Sequence, residues 1–168
     1  MEHAIEQDRV QVYNEKRTEG VAAMKSDPGH TLERAALDLL GGAEVFGAAE
    51  TLMDVHVTLQ AGLPASVWAR LRSHLHLIAG EPELIELIGR EPRPHRRLSR
   101  TRSNRVWTFA RLLARATDVL GGSVAAEDWL VRPAMALDRR RPIDLLKTSV
   151  GAQMVDDHLT RMDFSVSA

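Results

Sequence analysis

The sequence predicts an all-α protein, and three observations carry that prediction. Ala, Leu, Arg and Glu, strong helix formers, dominate the composition. Apolar residues recur at helical spacing in one segment after another. Glycine and proline stand between those segments, where helices stop and restart. β-branched runs are scarce and aromatic residues make up only 4% of the chain, which leaves little material for strands.

In chain order, residues 1–29 are polar and weakly periodic, and read as a frayed helix or flexible arm ending at Ser26-Asp27-Pro28-Gly29. Thr31 can cap a helix through Leu32, Ala35, Ala36, Leu39 and Leu40 that Gly41-Gly42 ends. A second helix is expected from Ala43 to Gln60, with Val45, Leu52, Val55 and Leu59 on its apolar side and Gly62 after it. Pro64 suits the first turn of a third, whose apolar side is Val67, Trp68, Leu71, Leu75 and Ile78. Pro82 opens a short helix with Leu84, Ile85, Leu87 and Ile88, closed by Gly89. Two prolines then break the stretch from Arg90 to Arg97, the expected domain boundary.

Ser99 can cap the longest helix, Arg100 to Leu120, with a stripe of Val106, Phe109, Leu112, Leu113, Ala116 and Leu120. Gly121-Gly122 stops it, and Ser123 opens a short helix through Glu127, Trp129 and Leu130 that Pro133 closes. Trp129 is expected to anchor the C-terminal core. Trp107 falls one residue off its stripe, which suits either the core or an interface. Pro142 begins another turn or two, and Thr148 or Ser149 caps a final helix through Val150, Met154, Val155, Leu159 and Met162.

At 168 residues the chain can hold one ordinary domain, or two small ones sharing a core. Its 44% hydrophobic and 27% charged content is that of a globular protein. The absence of cysteine removes disulfides, thiolate metal sites and a cysteine nucleophile together. No apolar run approaches the roughly 18 residues a membrane span needs. The acidic start is unlike a signal peptide, so a cytoplasmic location is expected.

The net charge of -1 conceals an uneven distribution. Between Arg90 and Arg105 the arginines Arg90, Arg93, Arg96, Arg97, Arg100, Arg102 and Arg105 face a single acid, Glu91. A second cluster is Arg139-Arg140-Arg141. Such an excess attracts phosphates, or is simply a solvated basic loop.

Catalysis is not expected. The histidines are scattered, and His74 and His76 lie two apart, on different faces of a helix. Gly121-Gly122-Ser123 has no lysine at P-loop spacing, and no metalloprotease, hydrolase or dinucleotide motif occurs. No metal or cofactor is expected.

The last seventy residues carry the most specific pattern: Leu98-Ser99, Ser103-Asn104-Arg105, Trp129-Leu130-x-x-Pro133, then Arg141-Pro142-Ile143-Asp144-Leu145-Leu146-Lys147-Thr148-Ser149-Val150-Gly151-Ala152. With Gly62-Leu63-Pro64 before it, this resembles the MbcA/ParS/Xre antitoxins. The resemblance implies three regions: an arm over residues 1–29, a degenerate Xre-like helix-turn-helix over 30–97, and a helical toxin-binding domain over 98–168. It also implies an antitoxin that acts by binding and not as an enzyme, neutralising a RES-domain toxin that consumes NAD⁺ or transfers ADP-ribose. The strand-like C-terminal tail, Met162, Asp163, Phe164, Ser165, Val166, Ser167 and Ala168, would enter the toxin's active site, with Arg139, Arg140 and Arg141 beside it. A homodimer and repression of its own operon are further implications. Arg90, Arg93, Arg96, Arg97 and Arg100 are the candidate DNA contacts. The competing expectation is a helix-turn-helix regulator whose C-terminal domain serves dimerisation.

The chain departs from the family pattern in places. Arg102 replaces the glutamate of a capping box, Leu137-Asp138-Arg139-Arg140-Arg141-Pro142 replaces a glycine-rich turn, and Ser165 replaces a glycine. The proline-broken stretch from Arg90 stands where a recognition helix is usual, and such a helix needs unbroken turns.

Overall fold

Helix-forming segments separated by glycine and proline become nine α-helices and one 3-10 turn in the computed structural model, which describes residues 28–49 and 51–166. They are α1 (Pro28–Leu39), α2 (Ala43–Phe46), α3 (Leu52–Ala61), α4 (Ser66–Ser73), α5 (Pro82–Ile88), α6 (Arg100–Leu120), α7 (Ser123–Val131), the 3-10 turn Met135–Leu137, α8 (Pro142–Leu145) and α9 (Ser149–Val166). No strand occurs among the described residues. The arm expected over residues 1–29 lies almost wholly outside them.

The long helix α6 is the hub. Ser99 caps it, its Oγ accepting from the Arg102 N–H at 3.3 Å, and Gly121 ends it in the left-handed region at φ 77°. Both ends are those the sequence predicts. Val106, Phe109, Leu112, Leu113 and Ala116 are buried as its stripe requires. Helices α1, α3, α5, α7 and α9 all pack on it, and a single apolar cluster of buried residues extends from Ala36 to Leu159. Trp107 packs at the edge of this core, its ring 6.1 Å from that of Phe46; Trp129 is likewise half-buried and stacks on His158.

Three expected elements differ. Helix α1 starts at Pro28, ahead of Thr31. The helix expected over 43–60 is two helices, because Gly47 adopts φ 61° and Thr51 starts α3 afresh with a capping box to Asp54. The third helix stops at Ser73 instead of continuing to Ile78. Leu75 and Ile78 are buried all the same, from a non-helical loop. The cause is a carboxylate supplied by α7, described below.

The proline-broken stretch is stitched to the helices around it. Ala65 N–H donates to the Arg96 carbonyl at 2.9 Å and Leu98 N–H to the Leu63 carbonyl at 2.7 Å, an antiparallel bridge between Pro64 and Arg97. The Ser103 hydroxyl, fully buried on α6, accepts from the Leu63 N–H at 2.9 Å. Ser103 of the Ser-x-Arg motif therefore satisfies a backbone donor that would otherwise be orphaned in the core.

Candidate functional site

The C-terminal helix α9 is positioned by the Leu145-Leu146-x-Thr148-x-x-Gly151 run. Thr148 Oγ1 accepts from the Gly151 N–H at 3.0 Å, capping the first turn. Gly151 lets this turn lie directly on the end of α8: a Cβ there would stand 2.8 Å from the Leu145 carbonyl carbon and closer still to its oxygen. Ala152, Val155 and Leu159 then face the core. Arg115 on α6 holds the distal half, donating to Asp156 Oδ1 at 3.1 Å and to Thr160 Oγ1 at 2.8 Å.

The sequence runs the final helix through Val150, Met154, Val155 and Leu159. Helical spacing sets the first two about opposite the last two, and in the structure Val150 and Met154 face solvent. The tail differs. Residues 162–166 continue α9 as helix, where the family pattern implies an extended strand-like end. Phe164 is 73% exposed on the last turns, Asp163 is exposed and Met162 is half-buried. Ser165 and Val166 complete the helix, while Ser167 and Ala168 lie outside the described residues.

Before α9, the chain turns tightly. Ala134 N–H donates to the Arg140 carbonyl and Arg139 N–H to the Ala134 carbonyl, each at 3.0 Å. Asp138 and Arg139 take φ 53° and 59°, the left-handed region that favours glycine. Arg139 and Arg140 point to solvent. Arg141 does not share their freedom, because its guanidinium donates to Asp144 Oδ2 and Glu83 Oε1, both at 2.7 Å. Lys147 extends the network to Glu86 at 2.8 Å, so α5 and α8 are joined by ion pairs. Of the three arginines expected to contact a partner, one is thus engaged inside the molecule.

The same network sets a pH dependence. Glu83 lies below its ordinary value of 4.5, first through its own backbone N–H and then through Arg141; Asp144 lies below 3.8, first through Arg141. Lys147 is raised above 10.5, first by Glu86. His158 is lowered from 6.5, first by burial and then by Arg161, and its Nδ1 has no hydrogen-bond partner among the described residues. A carboxyl with a lowered folded pKa stabilises above its ordinary value and loses that contribution as pH falls through the lowered one. A raised lysine contributes below its ordinary value and loses it as pH rises through the raised one. A lowered histidine resists protonation when folded, so stability falls as pH drops through 6.5. Thermal unfolding across pH should therefore show a plateau between about 6.5 and 10.5, a first decline below 6.5 and a second below 4.5. Glu83→Gln should flatten only the second decline. Curves for Glu83→Gln and the wild type that run parallel below pH 4.5 would contradict this assignment.

The basic stretch divides in the same way. Arg97 Nε donates to the Ala61 and Gly62 carbonyls at 3.1 and 2.8 Å, closing the end of α3. Arg102 donates to the Ile88 carbonyl at 2.6 Å and also to that of Arg90, closing the end of α5. Burial holds the Arg102 guanidinium below its ordinary value. Arg102 thus ties the start of α6 to the end of α5 instead of closing a capping box with Ser99. Arg100 reaches Gln60. Arg90, Arg93 and Arg96 remain as exposed side chains.

One central residue was not singled out by its spacing. Glu127, on α7, is fully buried, and its carboxylate accepts from the N–H groups of His76, Leu77 and Ile78 at 2.6–3.1 Å. Three successive backbone donors turned on one carboxylate form an anion nest, so α4 cannot continue through them. The signal was present, since Glu127 falls beside Ala126 and Leu130 on the apolar face of α7.

What this architecture defines is a helical protein with a braced C-terminal unit whose last helix leaves one side uncovered. Residues 115–164 match the model of the antitoxin Xre/MbcA/ParS C-terminal toxin-binding domain, so this stretch of the chain is similar to that family. No curated protein matches the chain. No helix among the described residues is long and apolar enough to cross a membrane.

Proposed function

We propose that the chain is the antitoxin of a type II toxin–antitoxin pair, acting in the cytoplasm by binding rather than by catalysis. The observation that carries this reading is the toxin-binding domain over residues 115–164. Its partner is a RES-domain toxin that consumes NAD⁺ or transfers ADP-ribose. The antitoxin blocks the toxin's active site with the end of α9 and the residues after it, 162–168, with Phe164 as the anchor. An exposed aromatic on a helix end gives a large contact area with few rotamers to fix. Arg139 and Arg140 are free to meet acidic groups of the toxin; Arg141 supports the turn that presents them. The toxin-binding unit spans residues 98–168 and acts as a homodimer.

Co-expression with a RES-domain protein encoded in the same operon tests this. The intact chain should restore growth and co-purify with the toxin. Deletion of residues 163–168 should abolish rescue while leaving the fold intact, and rescue that survives it would refute active-site blocking by this end.

A second activity is favoured by the exposed Arg90, Arg93 and Arg96, held on a stitched backbone. They suit contact with the phosphates of operator DNA without reading its sequence, as part of autorepression. Such binding would weaken steeply with salt and be indifferent to operator sequence. If promoter binding proves sequence-specific and toxin rescue fails, the chain is instead a helix-turn-helix regulator with a dimerising C-terminal domain.

A further inference from the structure

The exposed side of α9 is a continuous stripe. Val150, Met154, Asp157, Arg161 and Phe164 recur at spacings of three and four, which keeps them within about 40° of one line along the helix. All are exposed, with Val150 at 71% and Phe164 at 73%, while Ala152, Val155 and Leu159 occupy the opposite, buried side. The stripe runs for about 21 Å, from an apolar pair at the start of the helix to an aromatic at its end, with charges between. Met135, on the 3-10 turn packed against α9, adds another exposed apolar side chain.

We infer that this stripe is a helix-in-groove docking surface for the toxin, running back along α9 to Val150 from the Phe164 end that blocks its active site. The inference rests on the proposed antitoxin reading and lengthens its contact by the residues from Val150 to Arg161. Anchors at three- and four-residue spacing are how an amphipathic helix is read by a groove. The groove must offer one apolar pocket to Val150 and Met154, and another to Phe164 about 15 Å beyond Met154. Between them it must match Asp157 and Arg161 in charge. The toxin is the occupant because the stripe lies wholly within residues 115–164, the stretch matched to the toxin-binding domain. A second copy fits worse. An antiparallel, two-fold pairing of two such stripes centred at Asp157 would set that carboxylate against its own counterpart.

The test uses the full chain and a catalytically attenuated RES-domain toxin from the same operon, with affinity measured by calorimetry. Val150→Asp and Met154→Asp should each weaken binding about 30-fold, as loss of a buried anchor does. Val57→Asp, at an exposed apolar position on α3 outside residues 115–164, should bind like the wild type. Val150 is exposed and near a helix N-terminus, where an aspartate is tolerated, so its variant remains informative if Met154→Asp fails to fold. Wild-type affinity in a folded Val150→Asp variant overturns the inference and leaves the antitoxin reading standing. A variant that changes the mass of the free chain but not its toxin affinity also overturns it, assigning the stripe to self-association. If the unmodified chain does not bind the toxin, the antitoxin reading falls and the inference with it.

Discussion

Replacing Glu127 with alanine is expected to destabilise the protein by about 3–5 kcal/mol, since it leaves three backbone donors without their acceptor. The carboxylate is fully buried and accepts from three consecutive backbone N–H groups, at His76, Leu77 and Ile78. Alanine removes the acceptor and leaves those donors facing a void. Each unsatisfied donor costs about 1–3 kcal/mol unless water reaches it. A domain of this size has a total stability of about 5–15 kcal/mol, so the loss is a large share of it. Glu127→Gln should lose less, about 1–3 kcal/mol, because its amide oxygen still accepts while its charge is gone. Urea unfolding of the three proteins checks both figures. A loss below about 1 kcal/mol for the alanine variant would mean that the nest is satisfied in some other way.

Gly151→Ala is the second large effect, and here the sign itself is the test. On an open helix, alanine stabilises by about 1 kcal/mol relative to glycine. At Gly151 the new methyl would overlap the Leu145 carbonyl, a backbone group that cannot rotate aside. The expected outcome is a destabilisation of about 3 kcal/mol, from displacement of α9 off α8. Amide exchange should quicken in the first turn of α9 before the rest of the molecule responds. A stabilised Gly151→Ala variant would show that the two helices are not in such close contact. The glycine of the Leu145-to-Gly151 run thus has a packing reason: it sets how α9 leaves the turn before it.

Much of the fold was legible because its signals are local. Ser99, Gly121 and Pro142 act on the backbone within a turn of themselves, so they place α6 and α8 without knowledge of the core. The end of α4 was not legible, since the groups that stop it lie on α7, some fifty residues further on. The candidate site was legible in part. The motif run pointed to the toxin-binding region, and residues 115–164 match that family. Its side-chain roles were less accessible, because charge alone does not distinguish a free arginine from an engaged one. Arg139 and Arg140 are exposed, whereas Arg141, their neighbour, is paired with Glu83 and Asp144. Arg97 and Arg102 likewise close helix ends, while Arg93 and Arg96 stay exposed.

The sequence by itself determined the helical class, most helix boundaries and the identity of the C-terminal region, all of which depend on neighbours within a few residues. Helical spacing divides Val150 and Met154 from Val155 and Leu159, but tertiary structure alone decided which of those two sides of α9 is covered. It alone turned Glu127 from a helical acid into the anchor of a distant loop. The reason is that burial and pairing are properties of what packs against a residue, and that is chosen by the whole fold.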